Sequence, residues 1–326
     1  MKAPRMKLSE TREFGRTGMR ITLVGLGTWA IGGGGCAFAW GPQEDKKSIK
    51  TIHRAGELGI NWIDTAPVYG TGHSEEVVAQ ALDKVDPRPY VFTKVSMIWD
   101  NNRKVSSSQR PESIRSEVKA SLKRLRVDKI DLCQVHWPEP EDEIEEGWRT
   151  LAELKDEGVL RHIGVSNFSV EQMEKVGAIA PVETLQPPYS LVYPEVEKEI
   201  LPYAKQHGIG VIAYSPMASG LLSGTMTAER IRKMPSDDWR KRSKEFKEPR
   251  LSRNLALAGL LGEIGNEHGC SAGEVAIAWT LVNPAITAAI VGGRSPEQVD
   301  GFVGAATLKL GRSDLERITS FLREHP

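Results

Sequence analysis

The chain has 326 residues, 40 % of them hydrophobic, and its 43 basic side chains balance 43 acidic ones. A neutral chain has no global field that would draw it to nucleic acid or to an anionic membrane, so we expect neither as a partner. The three cysteines are an odd number and widely spaced, which fits a reducing compartment better than a disulfide framework. Composition therefore favours a cytoplasmic protein with a large core.

Residues 21–40 carry no charge and follow a basic N-terminus, the outline of a signal peptide or a membrane span. However, the stretch contains Gly25, Gly27 and the glycine run 32–35, and glycine is a poor helix former. The spacing Gly25-x-Gly27-x-x-Ala30 also imitates a dinucleotide-binding fingerprint. That fingerprint needs a helix to begin inside the glycines, whereas more glycines follow here. We predict a strand followed by a glycine-rich loop.

From residue 20 onward, short β-branched or aromatic runs alternate with longer amphipathic stretches, which is the sequence form of repeated βα units. The predicted strands span residues 23–26, 61–64, 90–94, 130–136, 162–165, 183–186, 210–214 and 287–291. The predicted helices span residues 45–58, 74–84, 111–125, 142–157, 169–177, 195–207, 271–282 and 296–305. Eight such units favour an α/β fold of the (β/α)8 TIM-barrel type, built as a single domain over residues 1–326. A doubly wound sheet needs fewer strands and a topological switch point that this order does not offer.

Three segments lie outside the eight units. Residues 12–22 have a Gly-Arg-Thr-Gly turn between short apolar pieces and predict a β-hairpin that plugs one barrel end. Residues 219–255 form a long basic stretch, and loops of that length in a compact domain are usually lids or binding loops. Residues 313–324 predict an extra C-terminal helix outside the barrel.

Three of the predicted strands end in a chargeable side chain: Asp64, Lys94 and His136. Tyr69 follows the first of them by five positions. The C-terminal ends of barrel strands meet at one rim, where the active sites of this architecture lie. Strand ends become polar in any case as they approach solvent, so each residue taken alone is more often structural. As a set on one rim, the four favour a reaction site.

These four residue types together can transfer a proton. A free phenol titrates near about 10, which is weak for protonating an alkoxide, but a nearby ammonium favours the phenolate. We therefore expect Lys94 to lower the pKa of Tyr69 and Asp64 to hold Lys94 charged. His136 would hydrogen-bond the carbonyl oxygen of a substrate. The set suits proton transfer to a carbonyl while a cofactor supplies hydride.

The same residues carry a resemblance that covers essentially the whole chain. Its motifs are Asp64-Thr65-Ala66 with Tyr69-Gly70, Thr93-Lys94, Val135-His136, Gly164-Val165-Ser166-Asn167-Phe168 and Ala213-Tyr214-Ser215-Pro216. In order and spacing these resemble the aldo-keto reductases. The resemblance implies an NADP-dependent oxidoreductase that reduces an aldehyde, ketone or sugar carbonyl to an alcohol. Tyr69 would be the general acid, assisted by Asp64, Lys94 and His136.

The resemblance also implies where NADPH binds, with NAD as a live alternative. The implied cofactor-binding residues are Thr28, Trp29, Asp64, Ser166, Asn167, Gln186, Tyr214, Ser215, Pro216, Met217, Ala218, Ser219, Gly220, Gly292, Gly293, Arg294 and Gln298. Residues 219–255 would cover the cofactor. A guanidinium at position 294 suits a 2′-phosphate because its planar fork donates two bonds at once.

Two positions depart from the pattern of the family. Thr225 stands where relatives often have lysine, and Gly301-Phe302 stands where many have Glu-Asn against adenine. The implied cofactor remains NADP because of Arg294, with NAD use as the alternative.

The substrate is expected to be a small molecule with a carbonyl or alcohol group. Its predicted pocket consists of Trp29, Tyr69, Trp99, His136 and Trp137, although loop packing explains Trp99 equally well. No metal is expected, since Cys133 and His136 lie three apart in a strand and point to opposite faces. Two rival functions are a cofactor-binding regulatory subunit of the potassium-channel β-subunit type and a cofactor-independent sugar isomerase. The isomerase would have no use for the Ser166, Asn167, Gln186 and Tyr214 set.

Overall fold

The computed structural model describes residues 7–34, 39–234 and 238–325. The strands are β1 (Thr11–Glu13), β2 (Arg20–Thr22), β3 (Val24–Gly27), β4 (Trp62–Asp64), β5 (Tyr90–Val95), β6 (Met97–Trp99), β7 (Val105–Ser107), β8 (Ile130–Val135), β9 (Leu160–Ser166), β10 (Thr184–Gln186), β11 (Gly210–Tyr214) and β12 (Ala288–Gly292). Eight of them close a parallel barrel in the order β3, β4, β5, β8, β9, β10, β11 and β12. This confirms the predicted (β/α)8 barrel, and the eight strands begin and end within two residues of their predicted limits.

Helices surround the barrel and connect its strands. They are α1 (Asp45–Glu57), α2 (His73–Ala81), α3 (Pro111–Leu125), α4 (Ile144–Asp156), α5 (Val170–Gly177), α6 (Ile200–Gln206), α7 (Ala228–Arg232), α8 (Arg250–His268), α9 (Ala272–Val282), α10 (Pro296–Phe302) and α11 (Arg312–Glu324). Several begin with a side-chain cap, such as Ser169 before α5 and Ser271 before α9, whose hydroxyls accept from the third helical N–H. Within the described ranges, no helix is long and apolar enough to cross a membrane.

The predicted hairpin plug is present at the N-terminal end of the barrel. β1 and β2 pair antiparallel, and Phe14 between them is fully buried, with its ring centroid 5.6 Å from that of Phe92. Trp62 also stacks on Phe92, with ring centroids 5.4 Å apart. A Cβ on Gly25 would lie 2.1 Å from the Trp62 indole, so this glycine makes room for a barrel-filling ring. The fingerprint-like glycine is thus explained by packing.

Side chains two residues apart on a strand point to the same face, and this places a polar layer above the aromatic residues inside the barrel. Trp62 and Phe92 fill the lower interior, and two residues further along the same strands come Asp64 and Lys94 on the same face. The polar layer therefore stands directly on an apolar floor, at the C-terminal rim where active sites of this fold lie.

Two segments differ most from the prediction. The predicted helix 195–207 is a 3-10 turn (Glu195–Glu197) followed by α6, because Pro202 lacks an N–H and its ring conflicts with the carbonyl of residue 198. The stretch 219–255 is less loop-like than expected. It contains α7, three short 3-10 turns and the start of α8, which pattern reading missed altogether. Residues 235–237 of this stretch lie outside the described residues, as does Cys36 of the three cysteines.

Candidate active site

A fully buried ion pair forms the centre of the rim. Lys94 Nζ lies 2.7 Å and 2.9 Å from the two carboxylate oxygens of Asp64, and it donates a third bond to the Thr65 carbonyl at 3.0 Å. Burial lowers the pKa of Lys94, although the carboxylate opposes that shift. These three acceptors hold the lysine ammonium in one position.

Tyr69 lies beside this pair on the turn after β4. Its hydroxyl is 3.5 Å from Lys94 Nζ. The turn packs backbone to backbone against the loop after β3, so tightly that a Cβ on Gly70 would lie 2.0 Å from the Gly32 carbonyl oxygen. Only glycine fits both positions, and their contact fixes the direction from which the phenol enters the site.

The pKa of Tyr69 contradicts the expectation from sequence. We expected the ammonium of Lys94 to lower it, but burial raises the pKa well above the usual 10, and the Asp64 carboxylate adds to the rise. Lys94 Nζ lies closer to Asp64 than to the phenol hydroxyl, so its charge does not outweigh the effect of burial on the pKa of Tyr69. Tyr69 is therefore a neutral phenol that carries its proton.

His136 completes the predicted group of four. Its ring stands edge-on to that of Tyr69 with centroids 5.7 Å apart. Burial first, and then the charge of Lys94, lower the pKa of this imidazole well below 6.5. A neutral imidazole beside a neutral phenol offers N–H and O–H donors to one carbonyl oxygen. The structure thus brings Asp64, Tyr69, Lys94 and His136 together as predicted.

The predicted nicotinamide residues form a connected polar network next to them. Gln186 Nε2 donates to Asp64 at 2.8 Å and to Gln134 Oε1 at 2.9 Å. Tyr214 donates its hydroxyl to Asn167 Oδ1 at 2.8 Å, and Ser166 Oγ donates to the Gln186 carbonyl. The network links the later strand ends to the ion pair.

The turn after β11 has an unusual backbone. Ser215, Ala218, Ser219 and Gly220 all lie in the left-handed region, with φ from +46° to +93°. Three of them, Ala218, Ser219 and Gly220, are consecutive, and backbone turns can present N–H groups to an anion. Pro216 and Met217 lie within the same turn. The loop that was predicted to bind the cofactor therefore has a strained, left-handed backbone.

Arg294 has partners that the sequence did not suggest. Its guanidinium donates to Gln43 Oε1 and the Trp40 carbonyl, each at 2.9 Å, and also to the Pro42 carbonyl. Gln298 Oε1 accepts from the Arg294 backbone N–H at 2.7 Å. The arginine follows β12 and the two glycines Gly292 and Gly293, as predicted, but its fork is already engaged by the segment 40–43.

The departure at residues 300–302 also has a structural account. Asp300 pairs with Arg54 of α1 at 2.7 Å, and Phe302 is buried. This stretch of α10 therefore serves helix packing.

Three tryptophans gather above the phenol. Trp29 stacks on Tyr69 with centroids 6.2 Å apart, and on its other face it stacks on Trp239 at 5.7 Å. Trp40 meets both indoles edge-on, and the Arg240 guanidinium lies 4.7 Å over its ring. The loop after β3 and the 238–242 segment thus close over the site through aromatic contacts.

The other two predicted pocket residues stand further out. Trp99 lies in β6, half of a two-stranded hairpin with β7. Trp137 directly follows His136 and is 40 % exposed, unusual for so large an apolar side chain. Trp29, Tyr69 and His136 contact one another in a chain, whereas the described contacts do not join the other two tryptophans to them.

The sequence of the chain matches known proteins over nearly its full length. The model of the Aldo/keto reductase family matches residues 23–323. The chain belongs to this family. It is 40 % identical to aldo-keto reductase YhdN of Bacillus subtilis (strain 168), over 94 % of this chain and 91 % of that protein. It is 34 % identical to an NADH-specific methylglyoxal reductase of Escherichia coli (strain K12), over 92 % and 94 %.

The fold comparison agrees with this assignment. The glycerol dehydrogenase AKR11B4 from Gluconobacter oxydans superposes with a TM-score of 0.88 and 39 % identity, covering 97 % of this chain and 95 % of that one. As an aldo-keto reductase, the chain is an oxidoreductase that reduces carbonyl groups with a nicotinamide cofactor.

Sequence reading missed four residues of this reductase site: Gln134, Trp40, Trp239 and Arg240. A signal existed for Gln134, since period-two alternation places it on the same face of β8 as His136. Trp40 lies in a loop, and Trp239 and Arg240 lie in a four-residue 3-10 turn, which is too short for periodicity to show which side chain faces the site.

Proposed function

We propose that the chain reduces an aldehyde, ketone or sugar carbonyl to the alcohol with NADPH, and that Tyr69 is the general acid. The observation that carries this proposal is the arrangement of three groups at the rim. Lys94 Nζ lies between the Asp64 carboxylate at 2.7 Å and the Tyr69 hydroxyl at 3.5 Å, and the His136 ring lies beside the phenol.

The reduced nicotinamide, when bound, supplies hydride to the carbonyl carbon. The residues of the chain handle the oxygen. His136 and Tyr69 donate hydrogen bonds to it, and Tyr69 gives up its proton as negative charge develops there. The phenolate that remains is stabilised by the ammonium of Lys94, which Asp64 holds in place. Because the pKa of Tyr69 is raised, the proton is present throughout the neutral range.

The residues present fit a nicotinamide dinucleotide. Ser166, Asn167 and Gln186 offer the hydroxyl and amide groups that a carboxamide requires, and Tyr214 is anchored beside them. Residues 215–220 would cradle the pyrophosphate through their left-handed turn. Thr28, whose hydroxyl donates to the Asp64 carbonyl, and Trp29 would border the ribose.

NADPH is the expected nucleotide, rather than NADH, because the guanidinium groups of Arg294 and Arg240 lie close together at the adenosine end of the site. Arg240 helps to lower the pKa of Arg294, after burial, and both contact Trp40. A 2′-phosphate would relieve the repulsion between these like charges. NADH remains the alternative, since the E. coli relative is NADH-specific.

Residues 219–255 would cover the bound cofactor, as part of a single domain that spans the chain. Trp239 and Arg240 within this stretch already contact the loop after β3, which supports a closing role. The wider substrate pocket would include Trp99 and Trp137. We further propose that the enzyme works in the cytoplasm. The relatives named above are enzymes, which gives the regulatory-subunit alternative no support.

The test is oxidation of NADPH, with NADH in parallel, against a panel of aldehydes, ketones and sugars. We expect carbonyl-dependent loss of reduced-nicotinamide absorbance, with a higher kcat/KM for NADPH. Nucleotide binding without turnover of any carbonyl would overturn the proposal and favour a regulatory protein.

A further inference from the structure

Ser96 lies where the barrel wall becomes the entrance to the site. It directly follows β5, which carries Lys94, and precedes the hairpin β6–β7, which carries Trp99. Its φ of +84° lies in the left-handed region, which a residue other than glycine adopts only where its surroundings hold it there. Ser96 is also fully buried. The contacts that hold it therefore control how the hairpin leaves the barrel.

Three different elements meet at this serine. Its backbone N–H donates to Glu117 Oε2 of α3 at 3.1 Å. Its carbonyl accepts from Ser108, at the far end of the hairpin, at 3.1 Å. Its hydroxyl bonds the backbone of Trp137, to the carbonyl at 3.3 Å and from the N–H at 3.4 Å. One residue thus ties the hairpin and the exposed tryptophan beside His136 to a carboxyl group inside the wall.

Glu117 is well placed to hold this junction. It is 9 % exposed, and Ser113 of the same helix donates to its other oxygen at 3.2 Å. The charged and titratable groups that face it are Arg124 on α3, Glu75 on α2 and the Cys133 thiol on β8. Arg124 gives its closest bond to Glu75, at 2.6 Å, so no cation is committed to Glu117.

Burial accordingly raises the pKa of Glu117 to about 8. Near neutral pH the group is mostly a protonated carboxyl, whose carbonyl oxygen still accepts from the Ser96 N–H. A glutamine would keep that acceptor at the same place, whereas a leucine of similar size would remove it.

The other end of the hairpin is held differently. Glu143 accepts from the Gln109 N–H at 2.7 Å and from Arg110 Nε at 2.9 Å. Its pKa is lowered, chiefly by the bond from Gln109. This outer carboxylate accepts a long bond from the Ser108 hydroxyl, at 3.4 Å, but has no direct bond to Ser96 or Trp137 among the described contacts, so it serves as a comparison for the inner one.

We propose that Glu117, acting through Ser96, positions Trp137 and the β6–β7 hairpin and thereby sets the size of carbonyl substrate that the pocket accepts. This inference rests on the proposed function, because it assigns a specificity role at that site. Glu117 is a positioning residue: it lies behind the wall and reaches the entrance through its hydrogen bond to Ser96 and the bonds of Ser96 to Trp137.

The first test needs no turnover. Amide hydrogen exchange is measured over residues 96–108 in the full chain and in the variants Glu117→Leu, Glu117→Gln, Ser96→Ala and Glu143→Gln. We expect faster exchange in Glu117→Leu, because the Ser96 N–H loses its acceptor, and near-normal exchange in Glu117→Gln. Ser96→Ala removes only the hydroxyl link to Trp137, and it decides the question if Glu117→Leu does not fold.

The second test separates KM from kcat with a small and a large substrate, acetaldehyde and benzaldehyde. In Glu117→Leu we expect the KM for benzaldehyde to change by about tenfold, the size of one lost buried hydrogen bond, while kcat and nucleotide affinity stay near normal. Glu117→Gln should restore the normal KM, Ser96→Ala should change it in the same direction as leucine, and Glu143→Gln should leave it unchanged.

The inference is overturned if glutamine and leucine behave alike, if both aldehydes shift equally, or if the hairpin exchanges normally in Glu117→Leu. Absence of turnover in the unmodified enzyme would instead defeat the proposed function. The exchange comparison would still decide the role of Glu117 in that case.

Discussion

The proton-transfer end of the site and the adenosine end are built in different ways. At the first, Asp64 and Lys94 project from neighbouring strands, and their hydrogen bonds go to groups on the barrel wall. At the second, Arg294 is engaged by the loop segment 40–43, and Arg240 lies on the ring of Trp40. The barrel strands thus hold the proton-transfer residues in place, whereas the residues at the adenosine end are held by contacts between loops.

This difference has energetic consequences. Removing one partner of a buried ion pair leaves an unpaired charge in a low-dielectric site, which costs about 3–5 kcal/mol. Half-exposed loop contacts are worth far less, and a ligand can replace them with bonds of its own. We therefore expect changes at the strand ends to affect stability and turnover together, and changes at the loops to affect nucleotide affinity alone.

The largest effect is expected from Lys94→Met. The change leaves the Asp64 carboxylate buried without its cation, so the free energy of unfolding should fall by about 3–5 kcal/mol. Carbonyl reduction should fall by at least about 100-fold, because the phenolate loses its stabilising charge. Urea unfolding and NADPH oxidation measure the two effects. Lys309→Met is the control, since that lysine is 74 % exposed and 3.8 Å from Glu10, and it should change neither. Unaltered stability in Lys94→Met would contradict the claim that the buried ion pair at the strand ends stabilises the fold.

A second effect concerns the pH dependence of stability. The pKa of Glu117 is about 8 in the folded protein against an ordinary value of 4.5, so the folded state retains a proton that the unfolded state loses. The resulting stabilisation is fully present below pH 4.5 and is lost as the pH rises through 8, at up to about 1.4 kcal/mol per pH unit. As the pH rises between these limits, the free energy of unfolding of Glu117→Gln should therefore increase relative to that of the unmodified protein. The free energy of unfolding is measured for both proteins as a function of pH, and two parallel curves would contradict this expectation.

At the adenosine end, Arg294→Ala should change the affinity for the nucleotide. We expect NADPH binding to weaken about tenfold or more and NADH binding to change little, because only NADPH carries the phosphate that the fork can bind. Gln43→Ala removes one loop partner of the same guanidinium and is the matched control, with a smaller effect on either nucleotide. Fluorescence titration with both nucleotides measures this, and equal losses would remove Arg294 from the phosphate site.

The smallest effect is expected in the covering segment. If residues 219–255 close over the cofactor, NADPH should slow proteolysis there by a few-fold, because local opening limits cleavage. Cleavage followed by mass spectrometry, with and without nucleotide, measures the protection. An unchanged cleavage rate would argue against a covering role.

The sequence predicted the strand-end residues better than the loop contacts. Strand ends were readable, because alternation of side chains and the order of βα units place Asp64, Lys94 and His136 on one rim. The raised pKa of Tyr69 was not readable, since it depends on burial and on how Lys94 divides its charge between neighbours.

Loop contacts were beyond the sequence for a further reason. Arg294 and Gln43 are 251 positions apart, and no periodic pattern connects them. The helix α8 was missed because Gly259, Gly262 and Gly265 weaken its propensity, so that packing against α9, α11 and the 218–223 turn rather than local sequence stabilises it.

The central claim is that Tyr69 is the proton donor of a site organised by Asp64 and Lys94. It is tested most directly by Tyr69→Phe, which removes one oxygen and keeps the ring that Trp29 stacks on. Turnover is measured at saturating NADPH and carbonyl, and nucleotide binding by fluorescence. The account predicts that reduction falls by about 100-fold to 10,000-fold while nucleotide affinity stays unchanged. Undiminished turnover in this variant would contradict it.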